Sequence, residues 1–160
     1  MFVTACRTAR YVQSCTQPLP ANPVTTIPSL KRFQRGDRIH VQAQQIWLIL
    51  VAFVMTRPSE SKKRTITYGE VAQAMGYPDE RAGHMLGRQL GIVGKLCALN
   101  DLPTLNSIVV TKSTNAPGDE VFLRKGRTVA QEQADVLRFN WYNIRVPTTG
   151  TFRKVWELED

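Results

Sequence analysis

The chain has 160 residues, 42% of them hydrophobic, and carries 21 Lys+Arg against 13 Asp+Glu for a formal net charge of +8. That length suits one domain plus tails, and the apolar fraction is ordinary for a chain that buries a core. Its three cysteines, Cys6, Cys15 and Cys97, are odd in number and irregular in spacing, with no histidine beside them; this excludes a disulfide framework and a zinc site.

The basic excess fits a polyanionic partner, but says nothing by itself about fold. It is concentrated at the N-terminus. Residues 1–40 hold Arg7, Arg10, Lys31, Arg32, Arg35 and Arg38 against Asp37 alone. Four prolines (Pro18, Pro20, Pro23, Pro28) fall in the same stretch, where they block ladders and favour extended chain. Residues 1–40 therefore read as a proline-rich basic arm, either a solvated linker or a phosphate-contacting segment.

Val41–Thr56 runs without a breaker and reads as a buried helix. Its longest apolar stretch, Ile46–Met55, is about half of the ~20 residues needed to span a bilayer, so the expectation is a cytoplasmic protein with no membrane partner. Thr67-Tyr68-Gly69-Glu70 matches a capping box and opens a short second helix, which Gly76-Tyr77-Pro78 ends. A third helix is expected from Asp79 to about Asn100. On it Leu86, Leu90, Val93 and Cys97 share one face, and Arg81, His84, Arg88 and Lys95 share the opposite one. Gly83, Gly87, Gly91 and Gly94 form a stripe between them, costing ~1 kcal/mol each against Ala. Such a stripe suits close approach by another backbone.

Residues 105–124, with turn formers Asn115, Pro117 and Gly118, read as a β-hairpin. Thr128–Gln131 repeats the capping-box pattern and starts a helix to about Asn143, and Thr151–Leu158 reads as a strand. The order helix, helix, helix, hairpin is that of a winged helix, an α+β fold whose third helix enters the major groove. The expected division is an arm over 1–40, a winged helix-turn-helix domain over 41–125, and a C-terminal helix and strand extension over 126–160 packed on it.

The stretch Ile66-Thr67-Tyr68-Gly69-Glu70-Val71-Ala72, followed by Met75-Gly76-Tyr77-Pro78, resembles the block before the recognition helix in O6-alkylguanine-DNA alkyltransferases and alkyltransferase-like proteins. His84-Met85-Leu86-Gly87-Arg88-Gln89-Leu90-Gly91 is similar to the Arg-Ala-Val-Gly-Arg-Ala-Leu-Gly of that family. The similarity spans roughly residues 46–118, less than half of the chain. It implies duplex DNA as the partner, with Tyr68 at the nucleotide backbone. Counting back from Gly87-Arg88 puts His84 at the family's base-displacing arginine, while counting forward from Tyr68 puts Arg81 near it.

The family's Pro-Cys-His-Arg-Val core falls on Leu105-Asn106-Ser107-Ile108-Val109, which has no cysteine. Alkyl transfer needs a thiolate there, so the expectation is a non-catalytic DNA-binding protein with no cofactor and no metal. Neither a catalytic triad nor a nuclease-like set around Lys112, Asp119 and Glu120 has the required order. The expected DNA-contacting residues are Tyr68, Arg81, His84, Arg88, Lys95 and Lys112, with Arg153 in a tail outside the module. The alternative is a small phage or mobile-element inhibitor that uses the same fold to hold a protein partner.

Overall fold

Eighteen consecutive residues without a single Asp, Glu, Lys or Arg form α1, Ile39–Thr56. In the computed structural model, which describes residues 29–57 and 62–158, this helix is the central support. By length and composition alone it could cross a membrane, a property that the ten-residue apolar run conceals. Here Ile46, Trp47, Leu50 and Val54 are buried against α3 and α5. The expected arm lies largely outside the described residues, with Cys6, Cys15 and the four prolines among those it leaves out. From Arg32 onward the described chain forms one compact unit.

The second helix, α2 (Tyr68–Ala74), follows its sequence signals closely. Glu70 N donates to Thr67 Oγ1 at 3.2 Å, and Thr67 N donates back to Glu70 Oε2 at 2.9 Å. At its end Gly76 takes φ +90°. Gly76 N then donates to Gln73 O, and Tyr77 N to Ala72 O, the double bond of a Schellman ending.

The long third helix is broken. Glu80–Met85 is a 3₁₀ segment capped by Asp79, Leu86 is the joint, and α3 proper runs Gly87–Leu99. The glycine stripe explains the break. A Cβ on Gly83 would lie 2.6 Å from the Tyr68 carbonyl carbon, so this turn is pressed onto the start of α2. The four glycines do not form one interface. Gly94 meets the side chain of Asn106, Gly91 is within ordinary contact of Glu120, and Gly87 faces open space. Only Gly83 serves the backbone approach that the stripe suggests.

The expected hairpin is absent from the described residues. Leu105–Ile108 winds into a 3₁₀ turn, and the strand β2 (Val109–Val110) pairs in parallel with β1 (Ile66–Thr67). The chain does reverse, through Thr111 N to Ala116 O at 2.9 Å, and returns beside residues 104–106. The contacts are side chain to backbone. Asn106 Nδ2 donates to Glu120 O at 3.1 Å, and Thr104 Oγ1 to Phe122 O at 2.6 Å. A ladder does not form because the 3₁₀ turn uses its own amides, as in Ser107 N to Thr104 O at 2.9 Å.

α4 (Val129–Arg138) starts on the predicted Thr128–Gln131 capping box but stops five residues before Asn143. The expected strand over 151–158 is instead α5 (Thr149–Glu157), capped by Thr148. Its period is helical, since Phe152 and Val155 turn inward together. Phe152 and Trp141 both pack edge-on against Trp47, with ring centroids 6.1 and 5.6 Å apart. The architecture is α-rich with one two-stranded parallel sheet, an α+β arrangement in the broad sense.

Two substitutions separate the glycines. Gly83→Ala should lower the stability to urea unfolding by about 1–3 kcal/mol, because backbone must move. Gly91→Ala should raise it by up to about 1 kcal/mol through helix propensity.

Candidate nucleic-acid interface

The parallel pairing of β1 and β2 brings residues 67–69 beside 111–113, and the 3₁₀ segment closes a third side. Together they enclose a pocket of about 480 Å³. Tyr68, Arg81, His84 and Lys112 line it. Four of the six sequence-predicted contact residues are thus brought together from three separate parts of the chain.

Arg88 and Lys95 are not among the lining residues. The joint at Leu86 rotates α3 relative to the 3₁₀ segment, so the single basic stripe becomes two pairs. Arg88 and Lys95, two helical turns apart, still share a face of α3. The guanidinium of Arg88 stacks on Trp156 of α5, 4.6 Å from the ring centroid. Arg153 lies three residues before Trp156 on that helix, so it is not remote from Arg88 as its place in the sequence implies.

Two carboxylates that the sequence reading did not select also line the pocket. Glu80 accepts from Lys112 Nζ at 3.3 Å. Both side chains are largely exposed, so the pair adds little stability. Glu120 accepts a short hydrogen bond from the Tyr68 hydroxyl, which itself accepts from Gly118 N at 3.1 Å. Burial first, and then this bond to Glu120, hold the phenol well above its ordinary range. The Tyr68 hydroxyl is therefore committed inside the protein, where the resemblance implies a contact to nucleotide backbone. A Cβ on Gly118 would lie 2.5 Å from the Tyr68 hydroxyl oxygen, so the Tyr68 and Glu120 side-chain ends would have to shift to admit one. No local pattern links residues 52 positions apart, so the Tyr68–Glu120 pair has no signature in the sequence.

The 111–128 loop that carries Lys112 and Glu120 is anchored at its far end. Glu132 on α4 is 0% exposed, yet ionised. Burial pushes its carboxyl up, but hydrogen bonds from Arg124 and from the Thr104 amide at 2.6 Å more than offset this and leave it below the usual carboxylate value. Arg124 also reaches Asp135 at 2.6 Å, and Arg127 pairs with the same carboxylate.

The segment matching the family's reactive core, Leu105–Val109, is 0–1% exposed throughout. Cys97 is likewise fully buried, and burial pushes its thiol up to about 12. Neither presents a nucleophile to the pocket. Among the described residues no group of three or more metal-ligating side chains comes together.

Glu132→Gln should cost about 2 kcal/mol of stability at neutral pH. Because the folded value lies below the ordinary 4.5, the stabilisation from this carboxylate is complete above that pH. It is lost as pH falls through the lower folded value. Melting temperatures from pH 7 downward should thus drop more steeply in the wild type than in the Gln variant.

No family model matches the chain, and no curated protein or solved structure matches it either.

Proposed function

We propose that the protein binds duplex DNA without catalysing a reaction on it, with α2, the 3₁₀ segment and α3 acting as a helix-turn-helix unit. The observation that carries this reading is the convergence of Arg81, His84 and Lys112 on one pocket at the start of α3. Helix α3 begins there with no side-chain cap. A helix N-terminus with Arg81 and Lys112 beside it suits phosphate oxygens. The resemblance of the Thr67–Pro78 block to the alkyltransferase-like proteins supports the same reading. Burial of Cys97 pushes its thiol up to about 12, so this residue offers no thiolate for alkyl transfer.

In this reading the wing of a winged helix is replaced by the 111–118 turn, which presents Lys112 beside the unit. Contacts to phosphate dominate and sequence preference is weak, since phosphate contacts fix position without reading bases.

A titration of a labelled duplex followed by fluorescence anisotropy tests the proposal. Affinity should fall by at least about tenfold between about 50 and 200 mM salt, as counterions are released. Arg81→Glu should weaken binding by about tenfold, while Lys125→Glu, which changes net charge equally, should do so far less. Absence of binding in low salt would sink the DNA reading in favour of a protein partner. Equal losses in the two variants would reduce it to general attraction between opposite charges.

A further inference from the structure

The C-terminal helix places a second group of cations beside α3, on residues that the helix-turn-helix unit does not contain. The Arg88 guanidinium lies over the Trp156 ring, and Arg153 sits one turn earlier on the same helix. The basic turn before α1 is drawn to the same region by two glutamines. Gln42 Nε2 donates to Asp37 O at 3.0 Å and to Arg35 O at 3.3 Å, and Gln89 Nε2 donates to Gln42 Oε1 at 2.6 Å. Gln89 is the neighbour of Arg88, so this relay ties the Arg35–Arg38 turn to the start of α3.

Arg38 and Arg153 both act on His40. Partial burial, and then the positive charges of Arg38 and Arg153, hold its imidazole below the ordinary value. Two acids lie among these arginines: Glu157 pairs with Arg153 Nε at 2.7 Å, and Asp37 accepts from Gln34 N at 2.7 Å. Arg38, Arg88 and Arg153 are all exposed. Three guanidinium groups against two carboxylates leave the surface a positive excess, which a polyanion crossing it would meet.

We infer that Arg38, Arg88 and Arg153 form a phosphate-contact surface that continues the DNA interface from the pocket across α3 onto α5 and the N-terminus of α1. This rests on the duplex-binding reading above. The continuity is structural, since Gly87 lines the pocket and Arg88 follows it directly. Trp156 has the part of a platform. Contact with its ring holds the exposed Arg88 guanidinium at the surface, where its N–H groups are available to phosphate oxygens. α5 is then part of the binding surface, although its sequence lies beyond the helix-turn-helix unit.

The experiment is the same duplex titration with the full chain, repeated across a salt series. Arg38→Gln and Arg153→Gln should each weaken binding by about threefold to tenfold in low salt. Each should also flatten the slope of log affinity against log salt by about one, the signature of one lost phosphate contact. Trp156→Leu keeps every charge and should weaken binding by releasing Arg88, with a melting temperature measured alongside to confirm folding. Lys125→Gln, on an exposed turn outside the proposed surface, should leave the slope unchanged. If the wild type binds and Arg38→Gln and Arg153→Gln keep its affinity and slope, the second surface is wrong and the pocket reading survives. Loss in Lys125→Gln equal to that in Arg153→Gln would also overturn it. A wild type that fails to bind duplex in low salt would instead overturn the reading on which this inference rests.

Discussion

A single buried carboxylate organises the part of the molecule that carries the pocket. Glu132 has no exposed surface and stays ionised, which is costly unless each oxygen is matched by a donor. The Thr104 amide and the Arg124 guanidinium supply those donors. Through them three pieces of chain far apart in sequence are locked together: the approach to β2, the returning loop, and α4. Lys112 and Glu120 lie on the loop between β2 and Arg124, so their position depends on this ion pair more than on any backbone ladder.

That arrangement answers a problem set by residues 104–110. Their inward side is polar as well as apolar, with Thr104, Asn106 and Ser107 all buried. Asn106 lies against Gly94 of α3, where no larger residue leaves room for the amide. Ser107 offers its carbonyl to Gln133 Nε2 at 2.8 Å. Wound into a 3₁₀ turn, this segment offers no edge to a second strand, and the returning chain is held beside it by side-chain to backbone contacts.

The pocket is not a simple cationic funnel. Its two carboxylates face its cations, yet each is engaged, Glu80 by Lys112 and Glu120 by Tyr68. Arg81 and Lys112 are matched in formal charge by Glu80 and Glu120, so the positive excess beside the pocket comes from the arginines that α5 and the turn before α1 bring alongside. The joint at Leu86 is what allows this division. A continuous helix would hold Arg81, His84, Arg88 and Lys95 in one row, whereas the bent segment gives the first two to the pocket and aligns Arg88 with Trp156.

Wherever the cause lay within a few residues, the sequence by itself was sufficient. Both capping boxes, the glycine ending of α2, the buried face Leu86–Leu90–Val93–Cys97 and the apolar α1 were all readable, because caps and helical period act over one or two turns. The same reasoning selected Tyr68, Arg81, His84 and Lys112, which the tertiary structure gathers at one pocket. What it could not supply were the pairings across long separations: Tyr68 with Glu120, Arg88 with Trp156, Glu132 with Thr104. Those pairings hold residues 111–124 as a loop and tie α5 to α3, while the close approach of Gly83 to Tyr68 accompanies the break in the third helix. Local pattern records what a segment prefers in isolation; which preference survives is set by the contacts that compete with it once the chain has closed on itself.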